Sequence, residues 1–139
     1  GRSTPLISRP MLPDSLTLIR PAPMVVLLDD DAALRRALTF FLEIEGYRVR
    51  ACATGEELVT QALPDAEACL VLDYRLAGMS GLDVLQTLRD RGVSLPAILI
   101  TSNPPPGVRA HAARLQAQLV EKPLLGDLLL GHIHRILPL

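Results

Sequence analysis

The most constraining feature of the sequence is the apolar segment Cys69–Leu72, which ends on Asp73 and leads into the turn-rich loop 74–81. A short continuous apolar run is typical of a strand buried on both faces of a parallel sheet. A helical spacing of leucines follows over residues 82–88. In open parallel sheets, ligands bind where the carboxyl ends of the strands open into loops. Asp73 is therefore predicted to lie where a binding or catalytic site can form.

The same alternation of strand-like and helix-like patterns extends along the chain, which predicts one parallel sheet with helices on both faces. Residues 1–23 contain five prolines and no periodicity, and we expect a flexible arm there. Residues 24–139 then form a single domain. Strands are predicted at 24–28, 48–52, 68–73, 95–101 and 118–121, and helices at about 32–45, 54–62, 82–91, 108–116 and 125–137.

Composition excludes several classes of function. Fourteen basic and fifteen acidic residues give a net charge of −1, which argues against direct nucleic-acid binding by this chain. No apolar run reaches the roughly 18 residues of a membrane span, and no signal peptide is recognisable, so a cytoplasmic protein is expected. Cys52 and Cys69 fall in strand-like runs and are predicted to be buried free thiols rather than metal ligands.

Polar residues stand at the ends of four predicted strands: Asp29 and Asp30, Asp73, Thr101, and Lys122. Parallel strands bring these residues to one edge of the sheet. Three crowded carboxylates repel one another unless a cation lies among them, and hard oxygen ligands suit Mg²⁺ or Mn²⁺. A lysine and a hydroxyl can then bind a phosphoryl group. Each residue alone has an ordinary explanation, such as acidic residues at a helix N-terminus, but their joint occurrence favours a site.

Five motifs together identify a family resemblance: Val25–Asp31, Leu70–Asp73, Met79–Gly81, Ile98–Ser102 and Glu121–Pro123. With these motifs the chain resembles the receiver domain of bacterial two-component response regulators over about residues 24–137. Residues 73–81 are most similar to the FixJ-type branch, whose full-length members add a LuxR-type helix-turn-helix. No such module is expected in the residues up to Leu139. The resemblance implies a flavodoxin-like, doubly wound (βα)5 fold with strand order 2-1-3-4-5.

The resemblance also implies a metal site. Asp30 and Asp73 are expected to bind Mg²⁺ directly, together with the backbone carbonyl of Arg75, and Asp29 is expected to bind it through water.

For the chemistry, the resemblance implies that Asp73 accepts a phosphoryl group from the phosphohistidine of a sensor histidine kinase. Lys122 would contact the phosphoryl group, with a cis peptide to Pro123, and Thr101 would turn inward to bind a phosphoryl oxygen. The domain would be a signalling module rather than an enzyme, although it would assist its own phosphorylation and dephosphorylation.

Two positions depart from the family pattern. Leu119 replaces the aromatic residue that usually accompanies the threonine, and Ala77 replaces the proline of the loop after the phosphoacceptor. We therefore expect the signal to pass through the fourth helix, fifth strand and fifth helix by repacking or by dimerisation, to control a transcriptional output domain or another partner. The leucine-rich last helix fits either a thick core stripe or a partner surface.

Three alternative functions share part of this pattern. A haloacid-dehalogenase phosphatase also uses a strand-end aspartate, but it needs a second acid where Arg75 stands and a cap domain. A flavodoxin needs a phosphate-binding loop where Asp29–Asp31 stand, and these residues would repel a phosphate. A degenerate receiver, acting as a phosphorylation-independent interaction module, remains the main rival because of Leu119 and the apolar last helix.

Overall fold

A computed structural model describes residues 21–124 and 127–139 of the chain. Five parallel strands form one sheet in the order 2-1-3-4-5, as predicted. The strands are β1 (Met24–Leu28), β2 (Arg48–Cys52), β3 (Ala68–Asp73), β4 (Ala97–Thr101) and β5 (Ala117–Glu121). The helices are α1 (Ala32–Glu45), α2 (Gly55–Val59), α3 (Gly81–Asp90), α4 (Val108–Arg114) and α5 (Leu128–Ile136).

The sheet divides the core into two layers. Alternate side chains of each central strand point to opposite faces, so that Val26 and Leu28 pack with α2, α3 and α4, whereas Val25 and Leu27 pack with α1 and α5. All residues of β3 and β4 are buried. Because helices cover both faces of these strands, their side chains are apolar along a continuous run rather than at alternate positions.

The two cysteines lie on β2 and β3, on opposite sides of β1, and both are buried free thiols as predicted. Burial raises the pKa of Cys69 to about 12. A thiol with this pKa stays protonated and behaves as a small apolar side chain.

The ends of the helices follow the local sequence. Asp31 caps α1 by accepting the Leu34 N–H at 3.1 Å, and the helix stops at Gly46 with a left-handed φ of 113°. Thr54 caps α2, which ends at Val59 rather than near residue 62. The predicted start of the last helix near residue 125 lies at residues outside the described range, and α5 is observed from Leu128.

Most of the predicted N-terminal arm, residues 1–20, also lies outside the described range. The carbonyls of Ala22 and Pro23 accept hydrogen bonds from Arg48 at the start of β2. No helix within the described ranges combines the length and the apolar character needed to cross a membrane.

The leucine-rich last helix is mainly a core element. Leu129, Leu130 and Ile133 are buried, whereas Leu128 is 46% exposed. The thick core stripe thus accounts for α5 better than a partner surface does. The larger exposed apolar residues lie instead on α1, where Phe40, Phe41 and Ile44 face solvent.

Two helical glycines have opposite surroundings, and we expect opposite effects when each is replaced by alanine. A Cβ at Gly81 would lie 2.2 Å from the backbone oxygen of Asp73, so Gly81→Ala should destabilise the fold by about 2 kcal/mol or more. A Cβ at Gly131 meets nothing closer than 3.8 Å, so Gly131→Ala should stabilise it by roughly 0.5–1 kcal/mol. Urea unfolding of both variants provides the measurement, and equal effects of the two changes would contradict the close approach at Gly81.

Candidate functional site

The register of the sheet brings the polar strand ends together. Leu28 of β1 is paired with Leu72 of β3, so the next residues, Asp29 and Asp73, lie side by side on neighbouring strands. Thr101 of β4 is paired with Glu121 of β5, which places Lys122 one residue beyond. The predicted convergence at the carboxyl edge of the sheet is therefore observed.

Three carboxylates form a compact cluster at this edge. One oxygen from each of Asp29, Asp30 and Asp73 lies within 4.8 Å of the others. Asp29 and Asp73 are buried, whereas Asp30 is exposed. The cluster thus has a rigid inner part in the sheet and one open side toward solvent.

Backbone N–H groups orient two of these carboxylates. The Asp31 N–H donates to Asp29 Oδ1 at 2.8 Å, and the Ala77 N–H donates to Asp30 Oδ2 at 3.2 Å. The second bond connects the β1–α1 turn to the loop after β3. A proline at position 77 has no N–H, so the departure from the family pattern at Ala77 creates this contact.

Burial makes ionisation of the inner carboxyls costly. It raises the pKa of Asp29, with the Asp73 charge adding to the effect, while the Asp31 N–H and Lys122 oppose it. Burial likewise raises the pKa of Asp73, while Lys122 and the Arg75 N–H oppose it. Further positive charge brought to the cluster therefore stabilises its ionised carboxylates.

Lys122 supplies the positive charge in contact with Asp73. Its Nζ lies 3.4 Å from Asp73 Oδ2, longer than the roughly 2.7–2.9 Å of a tight charged hydrogen bond. The Lys122 side chain is one-third exposed, and its backbone N–H donates to the Thr101 carbonyl at 2.7 Å. Lys122–Pro123 is a cis peptide, as expected from the family resemblance.

Thr101 is buried, and within the described part of the chain its hydroxyl oxygen has no hydrogen-bond partner. A buried hydroxyl without a partner costs free energy, so such groups in native proteins call for an explanation. Position 101 lies two residues along β4 from Leu99, on the sheet face that carries α4. The hydroxyl is therefore an unused donor beside α4, at the end of the strand next to Asp73.

The loop after β3 lies close to Asp73. The Gly81 N–H donates to the Tyr74 carbonyl at 2.9 Å, and the Tyr74 N–H donates to Ile100 at 2.8 Å. The Arg75 guanidinium carbon lies 5.8 Å from the centre of the Tyr74 ring, a cation–π geometry. These contacts fix the path of the loop that follows Asp73.

The residues present fit a hard divalent cation. The donor set is made of carboxylate oxygens, which Mg²⁺ prefers, and the exposed side at Asp30 leaves room for water and for a phosphoryl oxygen. The unfavourable burial of two like charges in the cluster is relieved by a cation. Nothing in this donor set favours a soft metal, since it contains no cysteine or histidine.

Comparison with known proteins identifies the family. Residues 25–134 match the model of the response regulator receiver domain. The chain is a response regulator receiver domain. Receiver domains are signalling modules of two-component systems that interact with histidine kinases and bind Mg²⁺ at an acidic pocket, which here corresponds to Asp29, Asp30 and Asp73.

The receiver domain is similar to parts of two longer proteins, one of which is named as a transcriptional regulatory protein. It is 33% identical over 100 residues to the transcriptional regulatory protein FixJ of Azorhizobium caulinodans, covering 71% of this chain and 47% of FixJ. It is 38% identical over 80 residues to nodulation protein W of Bradyrhizobium diazoefficiens, covering 58% of this chain and 35% of that protein. The chain thus spans about half or less of the length of these two relatives.

A solved structure confirms the fold. The crystal structure of FixJ-N superposes with a TM-score of 0.73 at 27% identity, covering 85% of this chain and 94% of that one. The flavodoxin-like architecture expected from the family resemblance is therefore confirmed.

The sequence predicted the side chains that the structure brings together, but not the backbone N–H groups that contact them. The N–H groups of Asp31 and Ala77 contact the carboxylates, and Arg35 contacts the Asp29 carbonyl. No residue type reveals a backbone donor. The run of acidic residues before α1 is the sequence feature that marks this turn, and the structure shows that Asp31 caps the helix.

If burial of like charge dominates the cluster, Asp29→Asn should stabilise the receiver domain without metal. We expect a gain of the order of 1 kcal/mol in the free energy of unfolding, because the amide keeps an oxygen for the Asp31 N–H but carries no charge. Urea unfolding in EDTA at neutral pH measures it.

The matched control is Asp31→Asn, which also removes one negative charge. Asp31 is exposed and asparagine caps helices as well as aspartate does, so little change is expected. A loss of stability in Asp29→Asn would show that the charge of Asp29 is stabilising without metal.

Proposed function

We propose that this receiver domain accepts a phosphoryl group on Asp73 from the phosphohistidine of a sensor histidine kinase. The observation that carries the proposal is the position of the Asp73 carboxylate. It lies at the end of a buried strand, beside two further carboxylates, with Lys122 Nζ 3.4 Å away. This arrangement combines a nucleophile with groups that neutralise charge on a transferred phosphoryl group.

In the proposed reaction, a carboxylate oxygen of Asp73 attacks phosphorus, a P–O bond forms, and the P–N bond to the kinase imidazole breaks. The electron pair of the P–N bond stays on the imidazole nitrogen, which takes up a proton from solvent to give neutral imidazole. Attack of water on the phosphorus of the aspartyl phosphate later releases inorganic phosphate and restores the carboxylate. The protein contributes mainly position and charge, as in other phosphoryl transfers.

The residues proposed to hold Mg²⁺, or Mn²⁺ in its place, are Asp30 and Asp73 directly, the backbone carbonyl of Arg75, and Asp29 through water. When bound, the ion would neutralise negative charge on the phosphoryl oxygens. The three clustered carboxylates support this assignment, and the exposure of Asp30 gives access from solvent.

Lys122 and Thr101 are proposed to bind the phosphoryl oxygens. Lys122 can move its contact from Asp73 to a phosphoryl oxygen because its present contact is long and its side chain is partly exposed. The hydroxyl of Thr101 would gain the hydrogen-bond partner that it lacks among the described residues.

The proposed output passes through α4, β5 and α5 to a transcriptional output domain or another partner, or to a second copy of this chain. Leu119 lies half-buried on β5 and packs against the layer that contains Val108 and Ala112 of α4. A shift of Thr101 is thus proposed to reach the surface by repacking of α4. Its FixJ-type relatives support a transcriptional role, with DNA bound by another part of the protein rather than by this chain.

Phosphorylation is tested by intact-mass spectrometry after incubation with acetyl phosphate. We expect the wild-type chain to gain one phosphoryl group in the presence of Mg²⁺ and none in EDTA. Asp73→Asn should gain none, because the amide is not a nucleophile, whereas Asp31→Asn should be modified like the wild type.

The absence of an adduct in the wild type with Mg²⁺ would contradict the proposal. That outcome would favour the alternative of a degenerate receiver that acts as a phosphorylation-independent interaction module, which Leu119 also fits. An adduct that persists in Asp73→Asn would place the modification on another residue.

The output surface is tested by NMR of the chain before and after phosphorylation. Amide shifts beyond the site are expected to concentrate in α4 and β5, with Val108→Ala reducing them because it loosens the contact of α4 with the sheet. Light scattering of the same samples reports dimerisation. Shifts confined to the strand ends, with an unchanged mass, would contradict an output through this face.

A further inference from the structure

Arg35 contacts the segment that carries two of the candidate metal ligands. Its Nη1 donates to the backbone carbonyl of Asp29 at 2.8 Å, in a partly buried position. This carbonyl belongs to the peptide that joins Asp29 to Asp30. The guanidinium therefore fixes the plane of the peptide between the two carboxylates, and with it the direction in which the Asp30 side chain leaves the backbone.

The other hydrogen bonds of this turn hold groups of Asp29 that Arg35 does not contact. The Asp29 N–H donates to the Cys52 carbonyl of β2 at 3.2 Å, which anchors the peptide on the strand side. Asp29 Oδ1 accepts the Asp31 N–H, which sets the Asp29 side chain. The Asp29 carbonyl is the remaining backbone polar group of that residue, and Arg35 is the side chain that binds it.

The position of Arg35 is electrostatically unfavourable for helix α1 itself. The N-terminus of a helix carries partial positive charge, so a cation near the first turn is disfavoured. Within residues 21–124 and 127–139, no carboxylate forms an ion pair with Arg35. A half-buried guanidinium that binds a carbonyl rather than a carboxylate points to a geometric role in the acidic turn.

We propose that Arg35 is a positioning residue for divalent-cation binding: it holds the Asp29–Asp30 peptide so that both carboxylates converge on the ion. This inference rests on the metal site of the proposed function. It predicts the opposite sign from simple electrostatics, because removing a nearby positive charge without changing geometry strengthens the attraction of the site for a cation.

The test is a titration of the ¹⁵N-labelled 139-residue chain with MgCl₂, followed through the amide signals of residues 29–31 and 73–77. Arg35→Ala should weaken Mg²⁺ binding roughly 10-fold, the lower end for groups that orient metal ligands. Arg36→Ala is the matched control, because it removes an equal, exposed charge one residue away. It should leave the affinity unchanged within about twofold or tighten it slightly.

Arg35→Lys keeps the charge and can still donate to the carbonyl, so it should restore most of the affinity lost in Arg35→Ala. Amide spectra in EDTA check the fold of each variant. If Arg35→Ala does not fold, the Mg²⁺ affinities of Arg35→Lys and Arg35→Gln are compared with that of the wild type instead. Gln retains a donor without charge, so binding near the wild-type value supports positioning.

The outcomes separate this inference from the proposed function. Affinity that is unchanged or tighter in Arg35→Ala, with saturable binding in the wild type, overturns the positioning role and leaves the metal site standing. No saturable shift of these amides in the wild type overturns the proposed metal site itself. Weakening by Arg36→Ala to the same extent as by Arg35→Ala would also overturn the inference, since the loss of affinity would then not depend on the contact of Arg35 with the Asp29 carbonyl.

Discussion

The carboxylates of Asp29, Asp30 and Asp73 repel one another, because the fold holds one oxygen of each within 4.8 Å of the others. Buried strands β1 and β3 fix the two inner carboxylates in register, so the repulsion cannot be relieved by moving them apart. Lys122 offsets part of it from a distance of 3.4 Å. The fold thus maintains a deficit of positive charge at its carboxyl edge, and this deficit is the driving force for binding a cation there.

Around this cluster, most of the hydrogen bonds that orient the carboxylates involve a backbone group. N–H groups of Asp31 and Ala77 orient carboxylates, and the carbonyl of Asp29 is held by Arg35. The N-terminus of α3 approaches so closely that only glycine fits at position 81, against the Asp73 backbone. A site held in this way is preorganised before any ligand binds, which reduces the cost of ordering it.

The departures from the family pattern have different consequences. Ala77 adds an N–H donor beside Asp30, a contact inside the site that a proline cannot make. Leu119 lies outside it, half-buried under α4, and cannot act as a rotating aromatic ring. The two departures therefore lie at separate places, one at the strand ends and one on the outer strand β5.

The sequence alone determined the elements and the side chains of the site. Buried parallel strands require continuous apolar runs, and a polar residue that ends such a run must lie at the sheet edge, so Asp73, Thr101 and Lys122 were visible in the pattern. The leucines of the last helix could not be sorted in this way, because spacing does not reveal which face a neighbouring element covers. Tertiary structure placed Leu129 and Leu130 in the core and left Phe40 and Ile44 exposed.

Tertiary structure alone decided the distances and the backbone donors. Whether two strand ends meet depends on the strand order and on the register, which are set by packing over the whole sheet rather than by any local segment. Backbone N–H and carbonyl groups are the same in every residue type other than proline, so the sequence shows that Ala77 has an N–H but not that this group, the Asp31 N–H or the Asp29 carbonyl forms a contact at the site. The sequence therefore determined which groups form the site, and the fold decided how they are held.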